Sequence, residues 1–585
     1  MSKIKSTYRN HRFVSSIIWS VLVFVSVANV FAQESDDETI KRAMWDELNR
    51  SMDSLDYKDF GKPFFVAYRF DQNEVLNVSA TLGAITGSNH TKLNNKSVRL
   101  MMGDYQMNDE NYYSNSSFNG GGNSAYMPTP LEIDYYGIRR SFWVSSDEVY
   151  KSAGELYKTK LSILEKHNLS KDDYKIPDFA KAPVVKSELP QPIINFDKGK
   201  WEDIARKISS VFLDFPEITY SGVYITIFSG RDFFINSEGT EVIQPIVRSS
   251  VTISASADVE SGPPVSDAYI INVGNPEDFP AEDILIKETK AFANYLMELK
   301  SAPVFEDIYS GPVLFEGKAS ADLFNSSLFG HTGLIAKRQE MSESANMISI
   351  PDKPSVNSVE AKIGKKVINR DLTVIATPKI KLFNDIKLIG SFEIDGDGVI
   401  PPDTLTLVAE GILEALLNDR TPSTTMHKLN GHNRLGLSGM GMSRSVSPGV
   451  IQVSSTNTKT REELLQQLFD LADEEDLEYV FVVKKIGLGY LSAAEVYKLN
   501  IADGTEQLVR GANLGLLDLK LLKKICGISG DITVYNTNSP GGYMGGGSLA
   551  SYIVPNTVLI KELEIKGVSQ STTNKLPVVR NPLLK

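Results

Sequence analysis

An α+β fold is expected from three observations. Apolar residues recur at helical spacing in several segments of the first half, runs with strand-like alternation separate those segments, and from about residue 309 onward strand-like runs dominate. At 585 residues the chain is too long for one hydrophobic core, and no short internal repeat divides it. The expected organisation is a leader at 1–32, a mixed α+β region at 33–308 and a strand-rich region at 309–585.

The leader rests on Lys3, Lys5, Arg9 and Arg12, an apolar run over 13–28, and Val30-Phe-Ala32 ahead of the polar stretch 33–38. This is the pattern of a secretory signal cleaved after Ala32. An uncleaved anchor is the competing reading, but the run is shorter than the roughly 20 apolar residues that span a bilayer. No cysteine follows it, so no lipid anchor is indicated, and no later stretch is apolar enough to cross a membrane.

A helix is predicted over 39–55, where Ile40, Met44, Leu48 and Met52 lie four apart, and strands over 64–70, 75–85 and 96–103. The stretch 106–130, rich in Asn, Ser, Gly and Tyr, reads as a loop that either contacts a ligand or has no specific role. A helix over 147–166 aligns Tyr150, Tyr157, Leu161 and Leu164, and a connector rich in Pro and Lys follows over 171–196. A helix over 201–213 leads to strands at 218–228, 232–236 and 243–257, with turns at Ser229-Gly-Arg231 and Ser237-Glu-Gly239. A helix over 281–300 turns Leu285, Phe292, Leu296 and Leu299 inward, and Tyr309-Ser-Gly-Pro312 marks the expected boundary. Beyond it, helices are expected at 319–329, 461–472 and 517–525 among strands.

The stretch 319–334, ASADLFNSSLFGHTGL, carries the most chemistry. Ala321, Phe324 and Leu328 form a buried stripe on a helix, which leaves Ser326, Ser327 and His331 on other faces. Further on stand Leu388-Ile-Gly-Ser391, Asp395-Gly-Asp-Gly-Val399, Asp419-Arg-Thr-Pro422 and Asn430-Gly-His-Asn-Arg434. In this order the motifs resemble the TldD/PmbA family of metallopeptidases, whose active members carry HExxxH on a helix at this point. The resemblance runs from about residue 44 to 567 and implies a strand-rich C-terminal metallopeptidase-like domain.

Aligning that motif on Gly330-His331 puts Ser326 at the first His and Ser327 at the Glu, so only the last His remains. A peptidase zinc needs about three protein ligands, an open position for water and a carboxylate base. Serine supplies neither ligand nor base. Active members also use a late Cys, whereas the single thiol, Cys526, stands ahead of the expected loop, now Gly541-Gly-Tyr-Met-Gly-Gly-Gly547, and reads as a small apolar strand residue. The serine pair lacks a G-x-S-x-G elbow and reads as helix surface.

Histidines remain at 90, 167, 331, 427 and 432 beyond the leader, none at a recognised metal spacing. His427 and His432 flank a turn, so an altered site joining them to His331 is the alternative reading, a metallopeptidase with a rebuilt centre. No zinc or other cofactor is expected otherwise, and the motif positions Ser326, Ser327 and His331 are not assigned as catalytic. By the resemblance, His331, Asp419, Asn430 and Arg434 fall near the family's cleft, although an Asn430-Gly431 turn explains two of these positions without a ligand.

With 42% hydrophobic and 23% charged residues the chain reads as ordinary globular protein. The net charge of −12 includes the leader's four cations and becomes −16 without them, which argues against a nucleic-acid partner. The resemblance implies instead a peptide or protein partner: a zinc-bearing TldD-like homologue, or a second copy in a dimer. It also favours a bacterial periplasm as the destination, with no membrane association after cleavage. The expected role is that of a noncatalytic peptide-binding or partner subunit.

Overall fold

The computed structural model describes residues 35–57, 59–113, 127–259, 263–330, 333–344, 347–349, 353–356, 358–438, 441–487, 494–538, 547–567 and 582–583. The leader, His331 and most of the glycine loop at 541–547 therefore lie outside the described residues, as does the middle of the Asn- and Gly-rich stretch.

Helix α1 (Asp36–Ser54) begins where the Ser35 hydroxyl accepts the Glu38 amide and three acids occupy the first turn. It buries Ile40, Met44 and Leu48 as their spacing predicts. Strands β1 (Phe65–Thr81) and β2 (Ala84–Met101) form a hairpin, so the predicted strand at 64–70 continues into the one at 75–85, and the latter is cut by the hairpin turn, with Ala84 and Ile85 already in β2. The chain reverses at Leu82 and Gly83, with φ of 48° and 81°, the left-handed pair that a tight two-residue turn requires. Helix α2 (Tyr135–Lys166) starts earlier than 147 because Asp134 caps it by accepting the Gly137 amide.

Helix α3 (Lys198–Ser210) precedes β3 (Ile218–Asn236), β4 (Glu241–Ala257) and β5 (Val265–Val273), which complete a sheet ordered β2-β1-β3-β4-β5. The predicted turn at Ser229-Gly-Arg231 is absent. These residues pair straight through with Val247, Ile246 and Pro245 on one side and with Glu74, Asn73 and Gln72 on the other. Gly230 serves close approach instead, since a Cβ there would lie 2.7 Å from Asn73 Oδ1. The turn after Asn236 does form, with Gly239 at φ 102°.

All helices of this half cover one sheet face. Val66, Tyr68 and Phe70 meet α1 and α2, while Leu76, Val78 and Ala80 farther along β1 meet α3 and α4 (Glu282–Ser301). Strand residues alternate faces, so Ala67, Arg69 and Asp71 point the other way, as do Asp232 and Gln244, toward the C-terminal half.

There, β6 (Ile308–Glu316) runs through the expected boundary, Tyr309-Ser-Gly-Pro312. Pro312 is accommodated because the register with the last strand slips between Gly311 and Val313, a bulge that needs no ladder donor from the proline. After helix α5 (Lys318–Phe329) come β7 (Leu372–Ala376), β8 (Leu405–Ala409), β9 (Ile412–Leu413), the hairpin β10 (Asn433–Ser438) and β11 (Gly441–Val446), and β12 (Val450–Ser455). Helix α6 (Arg461–Glu474) leads to β13 (Tyr479–Lys485), β14 (Glu495–Asn500), β15 (Glu506–Val509), β16 (Ile525–Ile528), β17 (Ile532–Asn538), β18 (Leu549–Pro555) and β19 (Thr557–Lys566). The predicted helix at 517–525 reduces to a 3-10 turn at Leu521–Lys524.

Two sheets, ordered β15-β14-β13-β6-β19-β16 and β9-β8-β7-β12-β18-β17, share one core with α5. The first sheet separates that core from α6: Val313, Phe481 and Val558 face α5, whereas Leu314, Val482 and Leu559 face α6. The chain is thus α+β, with a strand-rich C-terminal half.

Candidate functional site

Helix α5 opens at Gly317, whose φ of 57° suits glycine, and closes at Gly330, whose amide donates to the Ser326 carbonyl at 2.9 Å. Ala321, Phe324 and Leu328 are fully buried, as predicted. The Tyr552 hydroxyl donates to Asn325 Oδ1 at 2.6 Å, and Ser320 Oγ donates to the Pro555 carbonyl at 2.6 Å, pinning the helix to β18. Ser326 is half-buried. Ser327 is not helix surface: it is 2% exposed, and its Oγ has no hydrogen-bond partner among the described residues. The stripe facing the core is wider than the apolar spacing alone suggests, and it takes in this hydroxyl.

The described residues do not fit a peptidase zinc. Cys526 lies on β16, on the α6 side of the sheet and away from α5. Its thiol donates weakly to the Leu559 carbonyl at 3.6 Å, and burial pushes it up to about 11. His427 is exposed, whereas His432 is fully buried, with Nδ1 2.8 Å from the Asn430 carbonyl and burial pushing its pKa down to about 3. The turn between them therefore does not present both rings to one point. No three His, Cys, Asp or Glu side chains are grouped as a metal site among the described residues.

The other sequence candidates separate. Asn430 orders a turn more firmly than an Asn-Gly pair requires: its Oδ1 accepts the Asn418 amide at 2.9 Å, its Nδ2 donates to the Leu416 carbonyl at 2.7 Å, and its own amide donates to Asn418 Oδ1 at 2.8 Å. Asp419 is half-buried, and burial together with the nearby Asp397 charge pushes its carboxyl up to about 6. Arg434 is buried, its guanidinium stacked 3.9 Å from the Phe392 ring, donating to the Leu549 carbonyl at 3.0 Å and leaving Nε without a partner.

Three features that sequence reasoning missed surround these residues. Arg420, the neighbour of Asp419, is 1% exposed, holds Glu238 through two hydrogen bonds of 2.7 Å and donates to the Ala180 carbonyl, tying the two halves together. The Asp395-Gly-Asp-Gly398 loop lies over the helix-free face of the N-terminal sheet, where Arg69 donates to the Gly396 carbonyl. Asp395 accepts the amides of Asp397, Val399 and Asn433, while Asp397 accepts Asn433 Nδ2 at 2.7 Å and Arg444 at 3.0 Å. Burial and the Asp397 charge push Asp395 up to about 8; against the upward push of burial, Arg99 and Arg444 hold Asp397 below its ordinary value. Finally, on α5 itself, burial pushes Asp322 up to about 6 despite the nearby Lys318.

A cavity of about 160 Å³ lies between β4 and the C-terminal half. Residues 244–248 of β4 form one wall, and Phe392, Asp395, Arg434 and Leu549 contribute to the other.

These features define an α+β protein whose helix α5 is enclosed between two sheets and carries Ser326 and Ser327. Residues 309–567 match the family described as PmbA/TldA metallopeptidase C-terminal domain, so this region of the chain is a TldD/PmbA-type domain. No curated protein sequence matches it. Among solved structures, it is similar to a Thermotoga maritima protein assigned as a candidate modulator of a DNA gyrase, at 14% identity and TM-score 0.53, over 91% of this chain and 100% of the other. It is also similar to TldE from Thermococcus kodakarensis, at 13% identity and TM-score 0.52, over 90% of this chain and 100% of that one. At these identities the likeness is one of fold.

Proposed function

We propose that this chain is an exported, noncatalytic member of the TldD/PmbA family that binds extended peptide and acts as a partner subunit, either of a zinc-bearing homologue or of a second copy of itself. The observation that carries this reading is the pair Ser326 and Ser327 at the motif positions, with Ser327 enclosed in the core rather than presented to a substrate. A catalytic zinc needs an imidazole and a carboxylate base there, and a hydroxyl supplies neither. Binding to strand backbone uses only main-chain donors and acceptors, so it survives the loss of catalysis. Export to a bacterial periplasm is part of the same proposal and is supported by the basic and apolar leader.

The test is elemental analysis of purified residues 33–585 after dialysis against zinc-containing and then metal-free buffer, together with peptide cleavage assays. No retained metal and no cleavage are expected. Near-stoichiometric zinc, with cleavage abolished by His331→Ala, would establish the rebuilt metallopeptidase centre instead. Cell fractionation checks the location, and co-purification of a homologous chain checks the partner.

A further inference from the structure

The cavity beside β4 holds two arginines that form no ion pair among the described residues, although the Asp395 charge partly offsets the burial of Arg434. Arg434 is 7% exposed, and Arg248 on β4 is half-buried. Among the described residues neither guanidinium has a carboxylate within ion-pair distance. The one acid in the lining, Asp395, turns its oxygens to the backbone amides of Asp397, Val399 and Asn433. Burying a cation without a counter-ion is costly, so a second buried polar group is normally present to meet it. Among the described residues, Arg434 Nε is enclosed and finds no acceptor. Burial accordingly lowers both arginines below their ordinary values, Arg434 to about 9.

The same wall of the cavity is an open sheet edge. Strand β4 pairs with β3 along its whole length on one side. On its other side, residues 241–243 pair with Lys186–Glu188 and residues 249–257 pair with β5. Between them, among the described residues, no strand covers 244–248, the five residues that line the cavity. An uncovered edge offers main-chain groups to an incoming extended chain, and within this stretch Pro245 supplies only its carbonyl.

We propose that this cavity is a carboxylate subsite, in which Arg248 and Arg434 receive the C-terminal carboxylate of a peptide lying along the open edge of β4. The inference rests on the peptide-binding reading above and adds the end of the peptide that is recognised. A planar carboxylate matches the guanidinium fork, and the Phe392 ring fixes the Arg434 plane before the ligand arrives. The volume admits a terminal carboxylate with a small side chain, and the rest of the peptide leaves the cavity at the mouth of the uncovered stretch, since β4 is already paired at both ends of it.

The test uses residues 33–585 and three probes: acetyl-tetra-alanine with a free C-terminus, the same peptide amidated, and inorganic phosphate, each titrated calorimetrically. The free acid is expected to bind about 10- to 100-fold more tightly than the amide, the range of a charged hydrogen-bonded pair. Arg248→Gln, at a half-buried position, should abolish the difference, and Arg248→Lys should restore part of it. Equal binding of acid and amide would overturn the subsite and leave peptide binding standing. Phosphate binding lost in Arg248→Gln, with neither peptide bound, would overturn the peptide as ligand and the peptide-binding reading with it. Failure of all three probes would overturn both as well.

Discussion

Asp71 on β1 and Asp232 on β3 stand directly opposite each other in register, both fully buried, on the sheet face that meets the C-terminal half. Among the described residues only one of them has a cationic hydrogen-bond partner: Arg69 donates to Asp232 and to the Gly396 carbonyl, while Asp71 receives no donor and instead hydrogen-bonds Asp232 through its own proton. Two buried carboxylates this close do not both ionise. Burial, then the Asp232 charge, hold Asp71 protonated well above the ordinary carboxylate range. The interface of the two halves is therefore built on a carboxyl pair that shares one negative charge under Arg69.

The sign of the resulting pH dependence follows. Above the unfolded carboxylate value of roughly 4, the native chain keeps a proton on Asp71 that the unfolded chain has released, so stability is full at low pH and falls as pH rises toward the raised folded value. Asp395, with its carboxyl near pH 8, acts in the same direction. Asp71→Asn removes this penalty. Its melting temperature should exceed that of the parent at pH 8, with a flatter profile between pH 4 and 8 in scanning calorimetry. A variant that melts lower than the parent at pH 8, with an unchanged slope, would show that Asp71 is ionised.

Arg420 and Glu238 make the second link between the halves, and its geometry is specific to a guanidinium. Arg420 packs 4.1 Å from the Phe179 ring and reaches Glu238 and Ala180 together. Arg420→Ala should cost about 3 to 5 kcal/mol, the scale for breaking a buried pair from one side. Arg420→Lys should cost nearly as much, because an ammonium cannot form the fork. Urea denaturation measures both, and a Lys variant as stable as the parent would reduce the link to charge alone.

What the sequence revealed is the local part of this architecture. Stripes such as Ile40, Met44 and Leu48, or Leu285, Phe292, Leu296 and Leu299, are decided by spacing within one helix and were legible. The turn read at Ser229-Gly-Arg231 was overruled by strand pairing across distant sequence, and Pro312, at the start of the C-terminal half, is taken up within a strand by a bulge. The polar site was the least legible. Asp71, Glu238, Arg248 and Arg420 acquire their meaning only from partners, or the lack of them, in other parts of the chain. An Asp in β1 looks like any solvent-facing strand residue until Asp232 and the Asp395 loop close over it.

Cys526 should behave as an inert thiol. It is half-buried on β16 and packed against the α6 cluster, and its thiol is pushed up to about 11, so the thiolate that reacts is scarce near neutral pH. Maleimide labelling of the folded protein at pH 7.5 should be slow and become fast in denaturant. Rapid labelling of the native chain would mean that β16 opens locally.

Ser327 tests whether the motif helix has been absorbed into the core. Its hydroxyl is enclosed and finds no hydrogen-bond partner among the described residues, so it contributes an unmet desolvation cost. Ser327→Ala should therefore stabilise the protein by about 1 kcal/mol. Ser327→Glu, which rebuilds the carboxylate of the zinc motif, should instead destabilise it by about 3 kcal/mol or more, because a charge placed among Phe324, Leu328 and their neighbours has no counter-ion. Denaturant unfolding of both variants checks the enclosure of this position. Destabilisation by Glu means that the core is closed around Ser327, and a Glu variant as stable as the parent would mean that the position still has room and water for a carboxylate.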